Sequence, residues 1–405
     1  MYPLKSSIQA YDWGPVDAIS HLLGFEPTGG PEAELWMGSH PKSPCRIVTK
    51  DGERSLLSEI ARSKSELLGD RVLRTGSDTL PFLLKILTAE RGLSIQAHPS
   101  LDQAAEGFDR EERSGIPADA PNRNYRDRNH KPEIICALTE FWALCGFRSS
   151  DEIFSRFERY RSKLATDAVK ALSADRSSGR LIGVDVQGPG SLPLRRFLAT
   201  LLSANESERL GCLKEILAEN DRSVESEWVL RLAHQFPGDI GAIAPLFLNL
   251  IRLSPEEALY LDSGVLHAYL FGTGIELMAS SDNVLRGGLT SKQIDADELQ
   301  KVVLFESAIP SILAPQPSKS GITTYVTPSP EFELSRIDLS PYRKIAGVVN
   351  EAPSIVLCLS GGTRIASSSG ETVMKGGDAV YLLPGEDFEA SGDAKLFRAT
   401  MPSER

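Results

Sequence analysis

The spacing of apolar residues changes twice along this chain of 405 residues. Up to residue 149, and again beyond about residue 250, short apolar runs end at Gly, Pro or Asn, which is typical of β-strands. Between residues 150 and 235, segments such as DEIFSRFERYRSKL and SEWVLRLAHQF instead have the three-to-four-residue spacing of amphipathic helices. The sequence therefore predicts a mainly β fold with an all-helical insertion.

Three further segments are assigned by their pattern. Residues 56–69 have helical spacing, and Gly69 is the expected stop. The polar segment 107–131, rich in Pro, Asn and Arg, is predicted to be a long loop, which inside a compact domain is commonly functional. The segment 238–253, GDIGAIAPLFLNLIRL, is predicted to be one more helix, with Asp239 as its N-cap.

A weak internal repeat indicates how the β-rich parts are organised. EEALYLDSGVLHAYL (256–270) resembles GDAVYLLPGEDFEAS (377–391), and both read as a strand, a Gly turn and a second strand. Aligned without gaps, Gly264 meets Gly385 and His267 meets Phe388. This pattern is that of a small jelly-roll barrel of the cupin kind, used twice, with a candidate metal-binding histidine only in the first copy.

The repeat and the change of period together predict two cupin-like barrels and a helical domain. The second barrel is expected to hold no metal and to pack on the first through apolar faces such as that of Val380 and Leu382. The predicted division is a discontinuous catalytic barrel (1–149 and 236–310), a helical insertion (150–235), a linker (311–324) and a degenerate C-terminal barrel (325–405).

Charge and composition exclude some classes of partner. A formal net charge of −11 argues against nucleic acid, although a local group of cations can still bind a small anionic substrate. The longest apolar run, residues 240–251, is too short to span a bilayer, and residues 1–14 do not resemble a signal peptide. The five cysteines show no CxxC spacing. We therefore expect a cytoplasmic, monomeric protein with reduced thiols and no membrane or nucleic-acid partner.

Two histidines, a glutamate and a glutamine form a candidate metal site. Gln96 and His98 lie two residues apart in LSIQAHPS, so both point to one face of a strand. Glu133 enters an apolar strand, where a carboxylate must be paired or bound to metal, and His267 follows a turn. Two imidazoles, one carboxylate and one amide suit a catalytic zinc-type ion. Singly, each has an alternative: solvated polar residues, a Glu133–Lys131 ion pair, or a hydrogen-bonded core histidine.

Several longer strings in this chain resemble one family. YDWG (11–14), ELWMGSHP (34–41), IQAHPS (95–100), NHKPE (129–133), GDIGAIAPLFLN (238–249) and LHAYLFGTGIELMASSDNVLRGGLTSK (266–292) are similar to class I phosphomannose isomerases and occur in the family's order. The resemblance covers residues 5 to 310 and weakens in the helical segment and after 325. It implies one Zn²⁺ per chain, and it implies these ligands: Gln96, His98, Glu133 and His267.

The resemblance also implies a reaction, the interconversion of mannose 6-phosphate and fructose 6-phosphate through a cis-enediol. Zinc with a single anionic ligand keeps a positive charge that can polarise the sugar oxygens, which gives the neutral Gln96 a chemical purpose. The family's catalytic arginine lies in NVLRGGLT, which implies Arg286. Because Asp282 and Asn283 are turn residues, we expect Arg286 to project from a loop and to bind the enediolate.

The residue that moves the proton remains open between three candidates in the sequence, Lys131, His130 and Glu276. Basic residues around the long loop are candidates for the phosphate, among them Arg123 and Arg128. Trp13 and Trp36 are expected to be buried aromatic residues, although both could line a sugar cleft. The predicted substrate-binding residues are Lys85, Ser94, Arg126, Tyr269, Asp282 and Lys292.

Two other functions are compatible with a cupin-like metal site. One is a metal-dependent oxidoreductase using Fe²⁺, which leaves the LRGGLTSK segment without a role. The other is a non-catalytic cupin that senses a sugar phosphate, which predicts the loss of a ligand, Lys131 or Arg286, and all of these are present.

Overall fold

The computed structural model describes residues 1–173, 191–219, 221–315, 321–348 and 351–403. The strands in this part of the chain are β1 (Tyr2–Lys5), β2 (Ser7–Gln9), β3 (Glu34–Met37), β4 (Arg46–Thr49), β5 (Gly52–Ser55), β6 (Phe82–Ala89), β7 (Ile95–Ala97), β8 (Glu133–Ala137), β9 (Phe141–Phe147), β10 (Leu248–Leu253), β11 (Ala258–Leu261), β12 (His267–Ala279), β13 (Leu285–Gly288), β14 (Ile312–Leu313), β15 (Ile322–Tyr325), β16 (Glu333–Leu339), β17 (Ile345–Val348), β18 (Ser354–Ser367), β19 (Gly370–Lys375), β20 (Ala379–Leu382) and β21 (Phe388–Thr400).

The helices are fewer and most of them lie in the middle of the chain. Among the described residues they are α1 (Ala18–Leu23), α2 (Leu56–Arg62), α3 (Lys64–Arg74), α4 (Leu101–Arg113), α5 (Ser150–Phe157), α6 (Lys163–Ser173), α7 (Leu192–Ser203), α8 (Glu206–Ala218), α9 (Val224–Gln235), a 3₁₀-helix (Ile240–Leu246) and α10 (Ala296–Val302). None of these helices has the length and apolar character needed to cross a membrane.

The strands form two large antiparallel sheets, as the mainly β prediction requires. The first sheet has the order β14-β11-β8-β12-β6-β3-β2, and β7, β9, β10 and β13 extend it. The second has the order β15-β16-β21-β18-β20-β1-β4-β5, with β17 and β19 attached. Every residue of β6, FLLKILTA, is buried, because this strand lies in the middle of the first sheet and is covered on both faces.

Helices α5 to α9 confirm the predicted helical insertion. Ser149 and Glu152 form a capping box that starts α5, and Asn205 and Glu208 form another that starts α8. The apolar faces of these helices bury a cluster of phenylalanines against β9 and the 3₁₀-helix. Those phenylalanines are Phe147, Phe157, Phe197, Phe247 and Phe305.

Three local predictions are wrong in part. Residues 238–253 do not form one helix, because Pro245 has no N–H to donate and the chain turns into β10 after the 3₁₀-helix; Asp239 does cap it, accepting from Gly241 N at 2.7 Å. The predicted loop 107–131 begins inside α4, which a capping box at Ser100 starts. Residues 56–69, predicted as one helix that stops at Gly69, form α2 and the first part of α3; Gly69 interrupts α3 at φ 71°, but α3 continues to Arg74.

The strand pairing differs from the predicted division in the first fifty-five residues. β1 pairs with β20 and with β4, so β1, β4 and β5 belong to the second sheet. The segment predicted as a linker contains β14, which pairs with β11, and most of β15. Such long-range pairing leaves no local signal. The boundaries at 150, 235, 310 and 325 stay a prediction.

The contact between the two sheets uses the face opposite to the predicted one. Val380 and Leu382 lie in a core cluster made only of second-barrel residues, so the prediction that they face the first barrel is wrong. Their neighbours Ala379 and Tyr381 point the other way, into a cluster that contains Leu84 and other residues of the first sheet. The Tyr381 hydroxyl donates to the Leu67 carbonyl at 2.6 Å.

Candidate active site

Three of the four predicted metal ligands converge in the first sheet. His98 follows β7, Glu133 begins β8 and His267 begins β12. Their side chains are buried, and one ligand atom of each lies within 4.8 Å of the others. Strand pairing sets this arrangement, because β12 pairs with β7 at His267–Gln96 and with β8 at Met278–Glu133.

Each imidazole is oriented by a hydrogen bond from its Nδ1 atom. His98 Nδ1 lies 2.7 Å from the Asn283 carbonyl oxygen, and His267 Nδ1 lies 2.8 Å from the Val265 carbonyl oxygen. A carbonyl only accepts, so Nδ1 carries the proton in both rings and each Nε2 presents a lone pair. Outer contacts of this kind fix the tautomer of metal-bound histidines.

The two Nε2 atoms are buried and have no hydrogen-bond partner among the residues that the structure describes. They lie 3.4 Å (His98) and 3.6 Å (His267) from the two oxygens of Glu133. Burial, aided by the Lys131 ammonium, lowers the pKa of His98 to about 4, so this imidazole is neutral at pH 7. Two buried nitrogen lone pairs beside an anionic carboxylate are suited to a divalent cation. These side chains are therefore chemically suited to bind zinc.

Glu133 is ionised although it is fully buried. Burial alone would raise its pKa, but the charge of Lys131 and the contacts of His98 and His267 hold that pKa well below the ordinary value. Lys131 Nζ lies 2.5 Å from Glu133 Oε1, so the ion pair considered as an alternative is present together with the histidine cluster. The Tyr269 hydroxyl donates to Glu133 Oε2 at 3.5 Å.

A cleft of about 520 Å³ opens in front of Glu133. It brings together nearly all of the residues that the sequence predicted for catalysis and substrate binding, and Gln96 as well. These lining residues are Lys85, Ser94, Gln96, Arg126, Lys131, Tyr269, Glu276, Asp282, Arg286 and Lys292.

One side of this cleft carries three cations. The guanidinium of Arg286 makes no hydrogen bond or ion pair to any described residue; burial lowers its pKa, and the neighbouring charge of Arg126 adds to this. The charge of Arg286 likewise lowers the pKa of Lys292. These cations repel one another, so an anion bound among them would be stabilised. Arg286 lies in β13, opposite Gln96 of β7, and not in the loop that the sequence predicted.

A row of buried charges crosses the floor of the cleft. Lys85 Nζ lies 2.7 Å from Glu276 Oε2 and 3.7 Å from Glu34 Oε1. Trp36, buried as predicted, donates from Nε1 to Glu34 Oε2 at 2.5 Å. Burial lowers the pKa of Lys85 but the two carboxylates raise it more, and burial raises the pKa of Glu276. Lys85 is therefore held by its ion pairs, while the raised pKa of Glu276 makes this carboxylate a better proton acceptor than an exposed one.

Three predicted candidates lie away from the cleft. His130 Nε2 is 2.6 Å from Glu331 Oε1, on the side of the second sheet. Arg123 is buried against Glu111 and Glu112, and Arg128 pairs with Asp109. All three residues hold the 114–132 segment in place, and the structure gives none of them access to a substrate in the cleft.

Tyr11 and Phe236 line the cleft and were not identified from the sequence, and Trp13, which was expected to be buried with the cleft as its alternative, lines it too. Tyr11 and Trp13 stack with ring centroids 5.7 Å apart, and Phe236 reaches the cleft from the end of the helical insertion. The prediction that Trp13 is buried is wrong, since it is partly exposed and lines the cleft. The YDWG string was the one available signal for Tyr11 and Trp13, and nothing local marks Phe236.

The fold and the site define a class: a two-sheet cupin-like protein with a His₂Glu metal centre at the base of a cleft lined by cations. A family model described as "Phosphomannose isomerase type I, catalytic domain" matches residues 1–150. Mannose-6-phosphate isomerase from Escherichia coli is 37% identical over 404 residues, which are 98% of this chain and 99% of that protein. The enzyme from Mus musculus is 31% identical and covers 100% of this chain and 96% of its own.

Solved structures agree with the sequence comparison. A crystal structure of zinc-bound mannose 6-phosphate isomerase superposes with a TM-score of 0.86 at 34% identity and covers 99% of both chains. A point mutant of phosphomannose isomerase from Salmonella typhimurium superposes with a TM-score of 0.87 at 34% identity over 100% of both chains. The chain belongs to the type I phosphomannose isomerase family, and the resemblance seen in its motifs is confirmed.

Proposed function

We propose that this protein is a zinc-dependent isomerase that interconverts mannose 6-phosphate and fructose 6-phosphate. One observation carries the proposal. Two buried imidazole lone pairs face Glu133, and one side of the same cleft has three cations, Arg126, Arg286 and Lys292, that form no ion pair within the described part of the chain. A metal-binding floor and an anion-binding wall in one cleft suit the isomerisation of a sugar phosphate, in which negative charge develops on the sugar oxygens.

The metal would be held by Gln96, His98, Glu133 and His267. When bound, zinc supplies Lewis-acid polarisation of the C1 and C2 oxygens of the sugar. The chain itself contributes the fixed tautomers of both histidines, through the Asn283 and Val265 carbonyls, and the burial that keeps water from the ligands.

The cations divide between two tasks in this proposal. Arg286 lies beside Gln96 and therefore next to the metal, where a planar guanidinium can stabilise the negative charge of the enediolate. Arg126 and Lys292 share the same side of the cleft and would bind the phosphate. Ser94, Tyr269 and Lys85 would contact the hydroxyl groups between these ends, and Asp282, which is paired with Lys42, would orient the rim.

Proton transfer falls to Glu276 or Lys131 in this proposal. The base takes the proton from C2 of the open-chain aldose; the electron pair of that C–H bond forms the C1–C2 double bond, and the carbonyl π pair moves to O1, which takes a proton to give the cis-enediol. The O2 hydroxyl then loses its proton as the C2 carbonyl forms, and the electron pair of the C1–C2 double bond takes a proton at C1 to give the ketose. Glu276 has a burial-raised pKa, and Lys131 contacts Glu133. Washout of a C2 deuteron into water should stop in Glu276→Gln or in Lys131→Met, whichever replaces the base.

The test of the function is a coupled assay for fructose 6-phosphate made from mannose 6-phosphate, with elemental analysis of the same sample. We expect one zinc per chain, loss of activity with a chelator and recovery on adding zinc. Unfolding temperature should fall on chelation, because an ion that binds only the native state stabilises it. A chain that retains stoichiometric zinc but leaves mannose 6-phosphate unchanged would contradict the proposal and favour a non-catalytic sugar-phosphate binder.

We further propose that the protein works in the cytoplasm as a monomer, with a small sugar phosphate as its partner. The five cysteines are all free and buried, which suits a reducing compartment. Size-exclusion chromatography with light scattering should give a mass close to the 44.1 kDa of one chain.

A further inference from the structure

Asn283 occupies a fully buried position between the metal centre and the cation-lined wall of the cleft. Its side chain binds the segment that carries Arg126. Asn283 Oδ1 accepts from Arg126 N at 2.7 Å and from Asp127 N at 3.3 Å. Asn283 Nδ2 donates to the Asp127 carbonyl at 2.8 Å and to the Asn129 carbonyl at 2.9 Å. A side-chain amide has two donors and two acceptor sites, so its capacity is fully used.

The backbone of the same residue binds the metal centre. The Asn283 carbonyl accepts from Nδ1 of His98 at 2.7 Å, which fixes the tautomer of that ligand. One residue thus joins a metal ligand through its main chain and the Arg126 segment through its side chain. Without the side-chain amide, His98 would keep its partner, but nothing equivalent would hold the backbone at Arg126.

Hydrogen bonds from the two residues before Asn283 add to the connection with the Arg126 segment. Ser281 Oγ donates to Asp127 Oδ1 at 2.8 Å, and the Asp282 backbone N–H donates to Asp127 Oδ2 at 2.7 Å. The Asn283 N–H donates to Ser281 Oγ at 3.2 Å. The two bonds to Asp127 tie the 281–283 turn to the 126–129 segment and the third stiffens the turn itself, so that the turn and the segment form one rigid unit beside His98.

We propose that Asn283 is a positioning residue that sets the distance between the anion-binding cations and the metal centre, and so selects a sugar whose phosphate lies at that distance from the reacting carbons. The inference rests on the proposed function, because it takes Arg126 as a phosphate contact. If Asn283 only stabilised the fold, its replacement would not weaken phosphate binding while leaving the zinc content unchanged.

The experiment replaces Asn283 by Ser and measures phosphate binding apart from catalysis. Inorganic phosphate is titrated into the chelator-treated protein by calorimetry, and zinc content, kcat and KM are measured on the reloaded protein. We expect the Kd for phosphate and the KM for mannose 6-phosphate to rise about tenfold, the equivalent of one or two lost hydrogen bonds. Zinc stoichiometry should stay at one, because the bond to His98 comes from the backbone.

Asn249 offers a matched control. Its Nδ2 also donates to backbone carbonyls, those of Cys145, Gly146 and Phe147 at 3.1 Å and of Ala308 at 2.9 Å, but it does not line the cleft. Asn249→Ser should lower the unfolding temperature as Asn283→Ser does, and leave phosphate affinity within about twofold of the unchanged protein. Equal losses of phosphate affinity in both variants would overturn the proposal.

A double-mutant cycle with Arg126→Ala completes the test. If Asn283 acts through Arg126, the double variant should bind phosphate no more weakly than Arg126→Ala alone, since neighbouring effects are not additive. Additive losses would contradict the proposal. Should Asn283→Ser fail to fold, Ser281→Ala removes a weaker part of the same connection and should raise the phosphate Kd in the same direction. A failure of the proposed function differs, because the unchanged protein would then neither bind phosphate nor isomerise the sugar.

Discussion

The two copies of the internal repeat have the same backbone and different chemistry. When 256–279 and 377–400 are aligned without gaps, β11 and β20 begin and end at equivalent positions, and so do β12 and β21. The turn glycines match as well, with Gly264 at φ 78° and Gly385 at φ 77°. The repeat that the sequence suggested over fifteen residues therefore continues to the end of both second strands.

The difference lies in two side chains. His267 and Phe388 are both buried, but His267 faces Glu133, while Phe388 packs in the apolar core of the second barrel. Glu133 pairs with Leu261 of the first copy, and the residue that pairs with the equivalent Leu382 is Ser354. The same backbone therefore carries metal-ligating side chains at these two positions in the first copy and side chains of an apolar core in the second.

The largest expected effect comes from making the first copy resemble the second. His267→Phe removes one of two imidazole ligands and fills its space with an apolar ring, so zinc should be absent at stoichiometric level. Activity should fall by at least about 10³-fold, since metal polarisation is worth several kcal/mol. Elemental analysis and the coupled assay measure both, and circular dichroism checks the fold. Normal zinc content in this variant would show that the exchange of His267 for Phe does not account for the difference between the two copies.

Arg286 tests whether the first barrel uses charge as well as metal. We expect Arg286→Ala to lower kcat by about 10²–10³-fold and to change KM much less, because enediolate charge exists only near the transition state. Arg286→Lys should recover little, because a point charge does not replace a planar fork. Zinc content should not change.

Arg364→Ala is the control for Arg286, since Arg364 lies in the second sheet, exposed and paired with Glu371, and should leave the rate unchanged. A loss confined to KM in Arg286→Ala would make Arg286 a binding residue only.

The reverse exchange, Phe388→His, should cost stability without creating a metal site. It removes a buried aromatic ring and buries an imidazole where the second copy has Ser354 in place of a carboxylate, and so should lower the free energy of unfolding by about 3–5 kcal/mol. Urea unfolding of the chelated protein measures this loss. A zinc ion bound by side chains of residues 325–405 in a zinc-soaked crystal of this variant would contradict the prediction. It would show that a metal site can form although Ser354 stands in place of a carboxylate.

How far the sequence predicted the molecule depends on the range of the contact. Gln96, His98, Glu133 and His267 could be predicted as a ligand set because strand alternation and ligand chemistry are local, and the family motifs selected the same residues; the structure brings His98, Glu133 and His267 together. Helix α4 was not predicted, because most of its residues are charged or polar and give little apolar spacing. The capping box at Ser100 was the available signal for its start.

The remaining errors concern contacts between distant segments. The pairing of β1 with β20 and the arrival of Phe236 in the cleft join parts of the chain that carry no mark of each other. Alternation predicts that Ala379 and Val380 face opposite ways, but it does not say which of the two faces the other sheet. The site was therefore more predictable than its surroundings.

The smallest expected effect separates the two turn glycines. Both have a positive φ, so replacement by Ala should cost each copy about 1–2 kcal/mol of stability from backbone strain. At Gly385 a Cβ would meet nothing within 4 Å, whereas at Gly264 it would lie 3.0 Å from the Val302 carbonyl oxygen and 3.2 Å from Leu304. Gly264→Ala should therefore cost more than Gly385→Ala, by on the order of 1 kcal/mol.

Gly264→Ala should also weaken metal binding, because the Gly264 N–H donates to the carbonyl of His98 at 2.7 Å and a shift of this turn would move His98. We expect weaker zinc retention against a chelator in this variant and unchanged retention in Gly385→Ala. Urea unfolding of the two chelated variants, together with zinc release followed with a colorimetric chelator, gives both comparisons. Identical behaviour of the two variants would mean that the turn of the first copy is no more constrained by its metal centre than the turn of the second.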